Sequence, residues 1–211
     1  MKEFWKNNAL STVLLLLFIA FWVAQALTGW AVHNQELQEW GQRTLGLGAY
    51  LGSGHFWSST AENWESEFLQ MSVYVVFTVY LRQRGSAESN PYPDETTQAE
   101  RDQERRDDKV RGLWKRNSLT FTLLALFLVS FGTHLLGSWR ATRLEELARG
   151  QEAPTLGQFL GEAEFWFESF QNWQSEFLAV AAIVVLTIFL QQIGSSQSKA
   201  VTAPNSQTGD A

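Results

Sequence analysis

Cysteine is absent from this chain of 211 residues, which excludes a disulfide framework, a thiolate metal site and a cysteine nucleophile. Histidine occurs three times, and neither His33 nor His55 shows metal-ligand spacing with a partner, so we predict no metal site and no cofactor. Phosphate-binding loops, hydrolase elbows and zinc-protease motifs are missing, so we expect no enzyme activity. The formal charge of −6 argues against a nucleic-acid partner, which needs a basic surface.

The main feature of the sequence is a set of long uncharged apolar runs, of which the longest are Leu10–Trp30 and Asn117–Trp139. About 20 such residues cross a ~30 Å hydrocarbon core as helix. The run Phe68–Leu81 is too short alone, but the capping-box spacing of Ser59-Thr60-Ala61-Glu62 lets its helix begin near Thr60. The sequence therefore predicts four transmembrane helices, over about 8–31, 60–82, 117–139 and 170–193.

The amino-terminal run also has features of a cleavable signal peptide, with Lys2 and Lys6 before it and Ala24-Gln25-Ala26 near its end. The run is long for a signal peptide, and its counterpart lies in mid-chain, where no signal peptide can be. We therefore favour a transmembrane helix.

The chain repeats itself after 109 residues without a gap, with about 33 identities over the 86 positions from Phe4 to Ser89. Each unit has the order helix, acidic loop, helix. The predicted fold is an all-α membrane protein with two parallel helix-loop-helix repeats about a pseudo-twofold axis along the membrane normal. The predicted segments are a first repeat at 1–89, a charged cytoplasmic linker at 90–112, a second repeat at 113–198 and a disordered tail at 199–211.

Positive charge is distributed unevenly along the chain. The amino terminus, linker and tail hold 12 of the 16 lysines and arginines, and the inter-helix loops hold four. The positive-inside rule therefore places both termini and the linker in the cytoplasm. The outer side then carries 12 acids, which either concentrate cations or simply keep the translocated loops solvated.

Eight of the ten tryptophans are paired by the repeat and flank the predicted spans. Indole rings favour the membrane–water interface, so we interpret them as an interface belt rather than as an aromatic cage for a ligand. The belt comprises Trp5, Trp30, Trp57, Trp64, Trp114, Trp139, Trp166 and Trp173.

The element Asn-Trp-x-Ser-Glu-Phe-Leu occurs twice and supplies the candidate intramembrane polar site. At 100° per residue its polar side chains fall on or beside one helix stripe, which should face the bundle interior. The paired carboxylates either share a proton or bind a cation, or they complement the helix dipole and bond across helices. The candidate residues are Asn63, Ser66, Glu67, Thr78, Asn172, Ser175, Glu176 and Thr187.

Gln25 and His134 occupy equivalent positions in the first and third predicted helices. We interpret both as helix-bridging side chains, with proton relay or haem ligation as alternatives for His134.

The repeated motif, the opening Phe4-Trp5-Lys6-Asn7-Asn8 and the segment Leu27-Thr28-Gly29-Trp30 together resemble a family of bacterial integral-membrane proteins known only as a domain of unknown function. The resemblance covers most of the chain and includes the long stretch Phe165–Leu178. It implies a multi-pass protein of the bacterial plasma (inner) membrane and supplies no activity.

Three functional hypotheses follow. The first is a non-catalytic structural or partner-binding protein in the lipid bilayer, with a homo-oligomer or another membrane protein as partner. The second is a small proton or cation transport element that uses Glu67 and Glu176. The third is a membrane enzyme or assembly factor.

Overall fold

The computed structural model describes residues 2–107 and 109–209, with all their side chains other than those of Lys2, Ala99, Glu104 and Glu164. Met1, Asp108, Asp210 and Ala211, from the predicted first repeat, linker and tail, lie outside the described residues. The described backbone is helical and contains no strand, which confirms the all-α prediction. Its helices are α1 (Lys2–Glu39), α2 (Leu47–Leu51), α3 (Gly54–Tyr80), α4 (Gln98–Asp107), α5 (Leu113–Ala148), α6 (Leu156–Phe159) and α7 (Ala163–Phe189).

Burial in this fold is the reverse of that in a soluble protein, where apolar side chains are buried and polar ones exposed. Large apolar side chains are exposed all along α1, from Leu10 to Val32. Polar side chains are buried instead, and Glu65, Ser66 and His134 are at most 2% exposed. Such a surface is stable where hydrocarbon replaces water as the solvent.

Within the described residues, three helices are long and apolar enough to cross a membrane. They cover Glu3–Glu39, Leu113–Ala148 and Phe165–Phe189, and so include the first and third predicted spans and most of the fourth. The second predicted span, 60–82, lies mostly in α3, which is not among these three helices because polar side chains such as Glu65, Glu67 and Gln70 are spread along it. The structure thus supports a membrane protein with at least three suitable helices.

The two longest helices end in the same way. After α1, Gly41 has a φ of 69° and the Gln42 N–H donates to Leu37 O at 2.7 Å. After α5, Gly150 has a φ of 76° and the Gln151 N–H donates to Glu146 O at 2.9 Å. A left-handed glycine that closes the last helical turn is a common C-terminal cap, and these two caps are 109 residues apart.

The chain folds into two compact units, of which the first comprises Met1–Thr60 and Thr133–Phe159. In this unit, α3 approaches α5 so closely that a β-carbon on Gly137 would lie 2.8 Å from the Ser58 backbone nitrogen. The Ser58 hydroxyl also donates to the Ser138 hydroxyl at 2.9 Å. Small residues with a polar contact are the usual means of close helix packing in membranes.

The second unit comprises Ala61–Gly132 and Leu160–Ala211. Its turns after α3 and α7 are alike: Gln83 N–H donates to the Ser89 hydroxyl at 2.9 Å, and Gln192 N–H donates to the Ser198 hydroxyl at 2.7 Å. In the predicted tail, the buried Lys199 ammonium donates to Gly85 O at 2.6 Å and to Ile188 O at 3.2 Å. These contacts attach the described part of the tail to the second unit.

Candidate functional site

A polar interface joins α3 and α7 inside the second unit. The Trp173 indole N–H donates to the Glu65 carboxylate at 2.9 Å, and Glu65 is fully buried. One turn away, the Asn172 amide donates to the Glu62 carboxylate. Because a buried carboxylate needs donors, the two α7 side chains of the Asn-Trp motif stabilise the acids of α3 in an apolar setting.

The structure places the predicted site residues of α3 in different surroundings. Ser66 is buried and its hydroxyl donates to Asn63 O at 2.8 Å, whereas the Asn63 and Glu67 side chains are exposed. Thr78 is half-buried and bonds to Val75 O in its own helix. The buried polar side chains of α3 therefore include Glu65, Ser66, Gln70 and Ser72 but not Asn63 or Glu67.

On α7, Glu176 is half-buried and lies close enough to Glu67 for the two carboxylates to repel each other. Ser175 is exposed and bonds within its helix to Asn172 O. Thr187 is buried near the end of α7, where its hydroxyl lies 3.1 Å from that of Ser86 in the turn after α3. The structure therefore brings Glu67 and Glu176 together and places Thr187 in a turn contact.

Gln25 connects α1 to the start of α3 in the first unit. Its side-chain amide donates to the hydroxyls of Ser59 and Thr60, each at 3.4 Å. His134, at the equivalent position of α5, is fully buried.

The tryptophans of the predicted belt divide into two groups. Trp5, Trp57 and Trp114 are exposed, as lipid-facing indoles should be. Others donate to loop carbonyls: Trp30 to Leu45 O at 2.7 Å, Trp139 to Pro154 O at 2.9 Å and Trp166 to Leu160 O at 2.9 Å. Trp173 donates to Glu65, and Trp64 is half-buried. Several of these indoles therefore hold loops and helices in place.

A cluster that the spacing did not reveal lies in the first unit, where the end of α1 meets α2 and the start of α3. His33 Nδ1 lies 3.3 Å from the Glu36 carboxylate, and the His33 and His55 rings stack with centroids 4.5 Å apart. The Tyr50 hydroxyl lies 3.3 Å from His55 Nδ1. Burial lowers the pKa of His55 and His33 lowers it further, while Glu36 opposes both effects. We call His33, Glu36, Tyr50 and His55 the outer cluster, because the sequence predicts that this end of α1 lies on the outer side.

Sequence spacing does not predict this cluster, because its two histidines belong to different helices. The available signal was the spacing of His33 and Glu36, which are three residues apart and hence neighbours on one helix face. The partner from α3 could not be assigned without knowing how α3 returns against α1. One nitrogen of each imidazole and one carboxylate oxygen lie within 4.8 Å of one another, which is close enough for these three side chains to converge on an ion.

Residues 1–210 match a family described as a domain of unknown function (DUF6766). The chain belongs to this family. The match confirms that the chain belongs to a domain-of-unknown-function family, as the resemblance predicted, and it covers almost the whole length. No curated protein matches the chain, and no solved structure does.

This member of the family therefore carries two groups of polar residues that chemistry could use. The carboxylates of α3 and α7 can hold helices together or exchange protons, because they lie in an apolar unit beside hydrogen-bond donors. The outer cluster presents imidazole and carboxylate groups, which are common ligands of divalent metal ions.

Proposed function

We propose that this protein is a non-catalytic, multi-pass protein of the bacterial plasma membrane with four crossing helices and a structural or partner-binding role. The observation that carries the proposal is the bond from the Trp173 indole to the buried Glu65 carboxylate. This hydrogen bond joins α3 and α7 through residues of the repeated motif, which gives the motif a role in helix association. A membrane helix with several acids is stable only where such partners cover them.

The hydrogen bond between Trp173 and Glu65 also supports the proposal that α3 crosses the membrane. This helix has 27 residues and so is about 40 Å long at 1.5 Å per residue, which is enough to span the hydrocarbon. Its acids reduce its hydropathy, but Glu62 and Glu65 face donors on α7 rather than lipid. We therefore place α3 as the least lipid-exposed of four crossing helices, with both termini in the cytoplasm.

Several pairs of contacts support two parallel repeats about a pseudo-twofold axis. The caps after α1 and α5 and the turns after α3 and α7 recur at the offset of 109 residues. In the first unit, Arg149 stacks over the Trp40 ring at 5.7 Å, and these two positions are equivalent in the repeat. Equivalent residues meet each other only close to a twofold axis, so this contact favours the proposed symmetry.

The test of the partner-binding role is native mass spectrometry after extraction into detergent-free lipid nanodiscs. We expect a complex of fixed stoichiometry, with either a second copy of the chain or one other membrane protein. A protein that emerges alone and monomeric would contradict the role. A Leu10→Ala variant, altered at an exposed apolar side chain near the start of α1, serves as a control for non-specific aggregation.

The second candidate function is proton or cation binding by Glu67 and Glu176, and it is favoured because the half-buried Glu176 carboxylate lies within electrostatic range of Glu67. Two neighbouring carboxylates repel each other, which favours a shared proton or a bound cation. Flux in proteoliposomes should then be lost in the Glu67→Gln/Glu176→Gln variant and kept in Glu152→Gln, which alters a loop acid. Equal flux in all three proteins would remove this candidate.

A further inference from the structure

The outer cluster contains the donor set of a metal site. Imidazole nitrogens and one carboxylate are a ligand set that Zn²⁺ and neighbouring divalent ions use, with a water molecule at the open position. His33, Glu36 and His55 offer one ligand atom each, and these atoms lie within 4.8 Å of one another. Ligands around one such ion are roughly 3.3 Å apart, which follows from bonds of about 2.0–2.1 Å. The side chains therefore need to close by at most about 1.5 Å.

The local backbone allows that closure. His33 and Glu36 are three residues apart on α1, so their side chains emerge on one face of a rigid helix. His55 lies in the first turn of α3, after the short loop that follows α2. The stacked imidazoles need only tilt about their side-chain torsions to direct one nitrogen each toward a common point, because the helices already hold them in contact.

Access and protonation also suit a metal ion. The His33 side chain is 15% exposed and that of Glu36 is 41% exposed, so an ion can enter from the solvent side. Binding requires neutral imidazole, and burial already disfavours the charged form of His55. The Glu36 carboxylate supplies the negative charge that two neutral imidazoles lack.

Tyr50 provides the outer support that metal-binding histidines normally have. Its hydroxyl lies 3.3 Å from His55 Nδ1, so its oxygen can accept a hydrogen bond from Nδ1–H and leave Nε2 free as a ligand. The ring is held beneath α1, since a β-carbon on Gly29 would lie 2.4 Å from the Tyr50 oxygen. The hydroxyl is therefore fixed in place by packing.

The second half of the chain lacks this arrangement. The positions equivalent to His33, Tyr50 and His55 are Thr142, Phe159 and Glu164. The equivalent of Glu36 is Glu145, which pairs with Arg149 four residues later. A carboxylate paired with arginine has no need of a cation, so the second half provides an internal control.

We propose that His33, Glu36 and His55 form a binding site for one divalent transition-metal ion of the Zn²⁺ class, with Tyr50 orienting His55. The proposal is independent of the partner-binding role. It assigns a ligand to the side of the protein that carries most of its acids.

The experiment uses the full-length protein in lipid nanodiscs, purified with a tag that contains no histidine. Zn²⁺ affinity is measured by competition with a chromophoric chelator, and Co²⁺ is added as a spectroscopic probe of coordination. We expect saturable binding of one ion per chain, and Co²⁺ absorption in the visible range without a thiolate charge-transfer band, since the chain has no cysteine.

Substitution by the residue of the other half gives matched variants. His33→Thr should weaken Zn²⁺ binding by at least about 100-fold, and Tyr50→Phe by about 10–100-fold at unchanged stoichiometry. Glu36→Gln is isosteric and tests the carboxylate without disturbing packing. Thr142→Ala should leave the affinity unchanged, and circular dichroism should show unchanged helix content in each variant.

Two outcomes would overturn the proposal. One is wild-type protein that shows no saturable Zn²⁺ or Co²⁺ binding. The other is a folded Glu36→Gln or His33→Thr variant that binds Zn²⁺ as tightly as the wild type, which would reduce the outer cluster to a packing and hydrogen-bonding contact.

Discussion

The helices α3 and α7 have the same length of 27 residues and begin 109 residues apart, yet only α7 is apolar enough to cross a membrane by composition. The difference lies in the second half of each helix, where Gln70, Ser72 and Tyr74 of α3 correspond to Ala179, Ala181 and Ile183 of α7, while the acids Glu62 and Glu65 of α3 correspond to glutamine. In the structure these two acids accept hydrogen bonds from α7. Of the two helices, α3 therefore carries the buried carboxylates, and α7 supplies the hydrogen-bond donors that they need.

The two halves also diverge at the ends of α1 and α5. In the first half, His33 and Glu36 meet His55 from α3, whereas in the second half Glu145 pairs with Arg149 on the same helix. The C-terminal caps that follow are alike. A common backbone thus carries a cross-helix cluster in one half and a local ion pair in the other, because only the side chains have changed.

The largest effect expected from this comparison is topological. If α3 crosses the membrane, Gln42→Cys and Gln103→Cys should be labelled by an impermeant thiol reagent from opposite sides, and Gln151→Cys from the same side as Gln42→Cys. The protein has no cysteine of its own, so the labelling is unambiguous. If positions 42 and 103 were labelled from the same side, α3 would not cross the membrane and the protein would have three membrane-crossing helices.

Helix packing provides the next largest effect. Gly137→Ala should cost about 1–3 kcal/mol, since its β-carbon would meet the Ser58 backbone nitrogen at 2.8 Å. Gly132→Ala, five residues earlier on α5, has nothing within 4 Å and should stabilise the helix by about 0.5–1 kcal/mol. Denaturation in mixed micelles measures both. Equal effects would show that α5 does not pack on α3 at this point.

The hydrogen bonds from tryptophan indoles to loop carbonyls are a feature that the two halves share, and substitution can test how similar their contributions are. Trp30→Phe and Trp139→Phe each remove one bond to a loop carbonyl and should each cost about 0.5–1.5 kcal/mol. The same denaturation assay applies, and Trp114→Phe on the exposed surface should be nearly silent. Clearly unequal costs at positions 30 and 139 would show that the halves differ in their loops as well.

The smallest effect is a dependence of stability on pH. The pKa of His55 is lowered in the folded state, so its contribution to stability is present above the ordinary histidine pKa and is lost as pH falls through the lowered value. The groups that face it are His33 and Glu36 from α1 and Tyr50 from α2. Acidification from pH 7.5 toward about 5 should therefore destabilise the wild type more than His55→Gln. Thermal unfolding followed by tryptophan fluorescence would reveal the difference, and identical pH profiles would exclude this role of His55.

The helices themselves could be predicted because apolar runs and end signals are local properties. Their bounds could not be predicted as well: α1 and α5 run well beyond the predicted spans at 8–31 and 117–139, since polar residues continue a helix once its apolar part has formed. The polar face of α3 was also predicted only in part. Its polar residues lie on more than one face, and periodicity alone does not say which face a neighbour covers.

The sequence alone determined that this protein is helical and apolar enough for a membrane, that its second half resembles its first, and that it belongs to a family without an assigned function. The helices and their hydropathy depend on residue order within about twenty positions. The repeat and the family follow from direct comparison of one sequence with another. Only the tertiary structure decided that Glu65 is buried against Trp173, that Glu67 lies near Glu176 and that His33 meets His55. Those contacts depend on how helices distant in sequence pack on one another, which no local pattern specifies.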